Sequence, residues 1–147
     1  MRVFGALNIS ASGMTAQQTR TDIIAQNIAN ANTTRDAEGK VYRRKNVVFA
    51  EKKIGTFNEA FTLATGVVSG GSNGVRITRI VEDPSVGSKV YDPTHPDADE
   101  QGYVTYPNVN IATEMTDMID ASRSYEANVT AFNATKAMIT KALEMDS

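Results

Sequence analysis

The stretch "IATEMTDMIDASRSYEANVTAFNATKAMITKAL", residues 111–143, decides how the chain is built. Ile111, Met115, Met118, Ser122, Tyr125, Val129, Phe132, Lys136, Ile139 and Leu143 recur at alternating spacings of three and four, the heptad period of a helix with one sticky seam. Asn110 precedes it as an N-cap, Glu114 and Asp117 lie toward the positive end of the helix dipole, and Lys136 and Lys141 lie toward the negative end. At ~1.5 to 3 kcal/mol per buried side chain, covering this seam contributes on the order of 10 to 20 kcal/mol. A typical domain's whole net stability is only ~5 to 15 kcal/mol. The segment is therefore helical only where something covers its stripe.

The opposite terminus carries the same pattern. Phe4, Leu7, Ala11, Met14, Gln18, Thr21, Ala25 and Ile28 alternate at three and four, with small Ala11 and Ala25 allowing close approach and Gln18 and Thr21 placing polar groups where they fix register. A helix over residues 4–32 would span roughly 43 Å at ~1.5 Å per residue. It runs into "AQNIANANTTR", residues 25–35, where one Gly or Asn would stop a helix and three asparagines stand instead, Asn27, Asn30 and Asn32.

Between the helices, "KVYRRKNVVF" and "GVRITRIV" are rich in Val, Ile, Tyr and Phe and read as strands. Around them, glycines and Pro84, Pro93 and Pro96 mark turns, and residues 54–74, almost without charge, read as a mobile loop. The expected class is α+β: two long terminal α-helices packed as a coiled coil, with a small irregular β-containing insert between them. The divisions fall at 1–34, 35–107 and 108–147. So small an insert does not cover two stripes each about 40 Å long, so the stripes cover each other or are covered by other subunits.

Composition narrows the function. The 147 residues make about one domain. The formal net charge of −2 favours neither nucleic-acid wrapping nor polyacid behaviour, but the charge is unevenly spread. Residues 35–53 hold seven Lys/Arg against three Asp/Glu, and residues 82–100 hold six Asp/Glu against Lys89 alone. The two patches read either as solvated loop faces or as complementary docking surfaces between subunits. With no Cys, disulfides, thiolate zinc sites and cysteine nucleophiles are excluded. The N-terminus lacks the continuous apolar run of a cleaved secretory signal, and no stretch approaches the ~20 apolar residues of a membrane span, so no direct membrane insertion is expected.

The search for chemistry returns little. In "DPTHPDADEQG", Asp97, Asp99, Gln101 and Gly102 sit at the first, third, fifth and sixth positions of an EF-hand-like loop, but Asn108 stands where the bidentate Glu is needed. His95, the only histidine, has Asp92 and Asp97 nearby and lacks a second His or Cys for a zinc set. Gly66 and Gly71 have P-loop spacing without the Lys that must follow. Tyr42, Arg43, Arg44, Lys45 and Phe49 could form a nucleic-acid stacking strand, yet a cationic strand edge explains them as well, and the acidic half of the chain opposes binding. No enzyme, cofactor, metal or nucleic-acid partner is expected.

"ASGMTAQQTRTDIIAQNIANANTTR", "GKVYRRKNVVF", "GVRITRIVEDPS", "VYDPTHPDADEQGYVTYPNVNIATEM" and "SRSYEANVTAFNATKAMITKAL" together resemble the rod proteins of the bacterial flagellar basal body, with the central acidic block pointing to the C-type proximal rod members. The resemblance covers nearly the whole chain. It implies a structural subunit of the periplasmic drive shaft that polymerises through its terminal helices with copies of itself and other rod subunits. It also implies delivery by the flagellar type III export apparatus with no cleaved signal. The seam residues named above would then form the subunit interface, and the amides of Asn27, Asn30 and Asn32 would hydrogen-bond backbone or neighbouring helices at a buried turn. Two other readings stand beside it: a free-standing coiled-coil adaptor or export-associated binding module, and a carboxylate-metal hydrolase around His95.

Overall fold

The structure, a computed structural model, describes residues 2–35, 39–52 and 73–145, with side chains from Phe4 onward. The loop expected at 54–74 lies, up to residue 72, outside the described residues. The element order is helix, four strands, helix: α1 (Arg2–Ala29), β1 (Lys45–Lys52), β2 (Gly74–Glu82), β3 (Lys89–Tyr91), β4 (Tyr103–Thr105) and α2 (Ile111–Glu144). This is the α+β arrangement that the terminal heptads and the Val/Ile-rich middle predict. No helix among the described residues is long and apolar enough to cross a membrane.

The helix ends follow from local chemistry. Asn110 caps α2, its Oδ1 accepting the backbone N–H of Ala112 at 3.0 Å and of Thr113 at 3.3 Å. At the end of α1 the chain tightens into shorter turns, with Ala31 N–H donating to the Ile28 carbonyl and Thr33 N–H to the Asn30 carbonyl. Asn30 reinforces that stop, its side-chain amide and its backbone N–H both donating to the Gln26 carbonyl.

The chain divides into two compact units, one from Met1–Gln18, Phe49–Thr78 and Ser122–Ser147, the other from Thr19–Val48 and Arg79–Ala121. In the first, α1 and α2 approach closely where Gly13 faces Asn128; a Cβ on Gly13 would lie 2.7 Å from the Asn128 Oδ1. Ser12 donates to the Ile9 carbonyl and accepts the Val75 N–H at 3.0 Å, fastening the start of β2 to the helix. In the second unit α1 and α2 run in opposite directions, Arg20 meeting Asp117 and Asn27 meeting Glu114.

β1 and β2 form one two-stranded sheet and β3 and β4 another. Asp83 N–H donates to the Arg44 carbonyl at 2.8 Å, so the start of β1 lies against the end of β2, the antiparallel sense. In the antiparallel β3–β4 pair, Val90 opposes fully buried Val104, and Tyr91 opposes Tyr103 with the rings edge to face at 5.3 Å. Isolated two-stranded pairs are marginal in water, so each leans on backbone packed against it. Gly87 marks one such place: a Cβ there would fall on the Tyr106 carbonyl oxygen and within 2.9 Å of the Asn108 nitrogen. Those neighbours are backbone and cannot rotate away. Gly87→Ala should therefore destabilise this unit by about 1 to 3 kcal/mol and speed hydrogen exchange at the Tyr106 amide, which bonds to the Ser88 carbonyl.

Candidate functional site

Each long helix presents two stripes. The predicted seam is the outer one. Phe4, Ala25, Ile111, Met115, Tyr125 and Leu143 are exposed, and Leu7, Ala11, Met14, Ile28, Met118, Val129, Phe132 and Ile139 are half-buried; none of them is buried. Met115 is 56% exposed, Phe4 63% and Leu143 68%. Ile119 and Met138, outside the predicted set, are also exposed.

The stripe covered within the chain lies about one residue earlier, roughly 100° around a helix of 3.6 residues per turn. On α1 it runs through buried Ser10, Ala16, Ile23, Ile24 and Asn27; on α2 it runs through Glu114, Ala121 and Thr135, with Asp117, Ser124 and Asn128 half-buried between them. These residues are mostly small or polar. They let the helices come close, but they bury little apolar area, and the large side chains one position later stay largely wet.

The polar members of that inner stripe build a clamp in the 19–48/79–121 unit. Asn27, 1% exposed, uses all its bonding capacity there. Its Nδ2 donates to the Lys45 carbonyl and to Glu114 Oε2, both at 2.9 Å, while its Oδ1 accepts the Lys45 N–H and the Tyr42 hydroxyl, also at 2.9 Å. Only a side-chain amide offers two donors and an acceptor with two lone pairs in this geometry. An Asp there would set a second carboxylate against Glu114.

Glu114 is fully buried on the first turn of α2, and the Arg44 Nε donates to its Oε1 at 2.5 Å. Arg44 also reaches Asp117 at 3.3 Å, and Asp117 accepts from Arg20 at 3.2 Å. The Arg44 backbone N–H donates to Asn108 Oδ1 at 3.0 Å. Burial, the Glu114 charge and the Glu82 charge raise the Tyr42 phenol above its ordinary value, so it stays protonated as the donor to Asn27. The clamp thus joins the end of α1, the entry to β1 and the start of α2 at one buried point. Of the three asparagines at the end of α1, Asn27 makes this joint, Asn30 bonds to the Gln26 carbonyl, and Asn32 is exposed.

The acidic tract holds turns rather than a ligand cage. Asp97 accepts from the Thr34 hydroxyl at 2.6 Å and pairs with Arg35 at 3.2 Å. His95 Nδ1 accepts the Asp97 N–H, and Asp99 Oδ1 accepts the N–H groups of Gln101 and Tyr103. Gly102 has φ +81°, the left-handed conformation that suits Gly at this turn. Among the described residues no group of three or more His, Cys, Asp or Glu is placed to hold a metal ion.

Three carboxyls in these turns are held below their ordinary value of 3.8: Asp83 by the Ser85 hydroxyl and N–H, Asp92 by the Thr94 hydroxyl and N–H, and Asp99 by the N–H groups of Tyr103 and Gln101. A lowered folded-state pKa stabilises above the unfolded value and ceases to do so as pH falls through the folded one. Acid titration followed by the near-ultraviolet dichroism of Tyr91 and Tyr103 should be flat above the ordinary carboxyl value and lose signal only below it.

The sequence alone does not pair Arg44 with Glu114; a second heptad marks the helix face that carries Glu114, while Arg44, outside both helices, has no such signal. Gln17, Arg20, Asn27, Glu114, Asp117 and Asn128 recur at the same three-four spacing as the apolar stripe, one residue earlier.

A family model described as "Flagella basal body rod protein" matches residues 7–35, and one described as "Flagellar basal body rod FlgEFG protein C-terminal" matches residues 100–145. The first takes in the α1 stripes and the asparagine run, and the second takes in α2 and the end of the acidic tract. The chain is 46% identical to the flagellar basal-body rod protein FlgC of Bacillus subtilis, covering 99% of each chain. It is 42% identical to that of Borreliella burgdorferi over 97% of each, and 34% identical to that of Salmonella typhimurium over 99% of this chain and 98% of the relative. With such identity carried end to end across relatives this varied, the chain belongs to the FlgC family of flagellar basal-body rod proteins.

Proposed function

We propose that the chain is a structural subunit of the proximal rod, joined to copies of itself and to other rod subunits through the outer stripes of α1 and α2. The single observation behind this reading is that none of the apolar seam residues is buried within one chain, although they include Phe4, Leu7, Met14, Met115, Met118, Phe132 and Leu143. Subunits related by a non-closing helical step build a tube. Close-packed seams let that tube resist shear and pass motor torque along the periplasmic shaft. Residues 1–34 and 108–147 supply the axial core, and 35–107 form the insert on its outer side. The chain acts as a mechanical part rather than a catalyst. A cysteine-free chain also suits delivery by the flagellar type III export apparatus, since no disulfide forms to lock it before passage.

Sedimentation of the concentrated protein, alone and with other rod subunits, tests the assignment. Large assemblies that dissolve on dilution are expected. A monomer at every concentration, with or without the other subunits, would point instead to a free-standing adaptor or export-associated module.

A further inference from the structure

Apart from Arg44 and the Lys45 backbone, the helix interface leaves the basic stretch and the acidic stretch unused. In the 19–48/79–121 unit Arg35 pairs with Asp97, but most of the two stretches' charges lie on two distinct surfaces. A cleft of about 760 Å³ opens among Lys40, Val41, Arg43, Lys45, Glu82 and Val86. Three cations face one carboxylate there, and Val86, 79% exposed, gives the cleft an apolar wall. Arg44 is not among its lining residues, because its guanidinium is turned to Glu114 and Asp117. The volume is in the range of cavities that bury a ligand or a few side chains.

The second surface is the turn between β3 and β4. Asp92, Asp99 and Glu100 lie in it, with exposed Tyr91 and Tyr103 at its base. Asp92 and Asp99 are held anionic by their own turn donors. No residue between 88 and 104 lines the cleft, so the chain's own acidic turn does not fill it. That turn is tied elsewhere, through Asp97, to Thr34 and Arg35.

We propose that the 92–101 turn of one copy seats in the Lys40–Arg43–Lys45 cleft of the next copy, a second contact between subunits outside the helix seams. The occupant is a second copy because the same chain carries both complementary faces: an anionic, aromatic-based projection and a cationic, apolar-walled recess. Donor and recess are different patches, so the contact is heterologous and repeats along an open assembly. Opposite charge would orient the approaching subunit before the apolar seams close. The proposal rests on the reading of the chain as a polymerising subunit.

The absence of cysteine permits a direct test. Arg43→Cys and Glu100→Cys place one thiol on each surface, at exposed positions outside the clamp. The two full-length variants are purified separately, mixed, oxidised with a copper catalyst and run on a non-reducing gel, and the same samples are sedimented. The mixture should give several-fold more covalent dimer than either variant alone, and added salt should lower the yield. A mixture with no more dimer than the single variants overturns the docking contact. If that mixture still sediments as a polymer, the docking contact falls and the helix-seam reading stands; if it neither crosslinks nor sediments, both fall. Crosslinking without sedimentation would keep the docking contact and remove the seam assembly.

Discussion

Replacing Arg44 by Met should lower the unfolding free energy by about 3 to 5 kcal/mol, because it leaves the Glu114 carboxylate buried and unpaired. Glu114 is fully enclosed, and only Arg44 and the Asn27 amide reach its oxygens among the described contacts. Against a typical margin of ~5 to 15 kcal/mol, a loss of that size removes from about a fifth to all of the stability. Urea unfolding of dilute protein should show a lower midpoint with little change in slope. Adding Glu114→Gln to Arg44→Met should recover much of the loss, because the residual partner becomes neutral and Asn27 can still bond to it. If Arg44→Met is as stable as the parent, the charge pair does not organise the joint between the helices and β1.

Met115→Asp should do the reverse, leaving the chain folded and stopping its assembly. Met115 is 56% exposed, so a polar replacement in the single chain stays within about 0.5 kcal/mol of neutral. In an assembled seam the same change forfeits ~1.5 to 3 kcal/mol of burial, and a carboxylate forced into the dry contact would add its desolvation. At 1.4 kcal/mol per tenfold, self-association should weaken about ten- to a hundred-fold for each seam contact disturbed. Sedimentation velocity with circular dichroism on the same sample separates the two effects. Unchanged helix content with lost polymer is expected, and polymer formation at the parent's concentration would remove Met115 from the interface. Phe132→Asp is less informative because Phe132 is half-buried within the chain, where a charge disturbs folding as well.

Both helices, their approximate limits, the Asn110 cap and the two longer strands were legible in the sequence, because heptad spacing, capping chemistry and β-branched content act locally; the three-residue β3 and β4, set among prolines and glycines, were not. The inward face of each helix was not. Two stripes of identical three-four spacing lie side by side, and reading by hydrophobicity selects Phe4, Met115 and Leu143. The chain instead covers Ser10, Ala16, Asn27, Glu114 and Ala121, whose size and bonding let two backbones approach. The spacing shows that each helix has a face; partners decide which face is covered. The clamp was hidden for a related reason. Asn27 reaches Tyr42, Lys45 and Glu114, which lie 15, 18 and 87 residues away in sequence, and no local pattern ties an asparagine to so distant a carboxylate.

The one-residue offset between the stripes also makes helix length a constraint in its own right. Delete a single residue between Met14 and Gln18, and every downstream side chain on α1 takes the place of the one before it. Thr21, Ala25 and Ile28 would move into the sites held by Arg20, Ile24 and Asn27. An aliphatic chain would then face the Glu114 carboxylate, while the amide that should meet it would be carried to the exposed place of Gln26, on the side away from the outer stripe. A frame-preserving loss of one codon in α1 should therefore cost more than most substitutions, and an insertion should be best tolerated as a whole heptad.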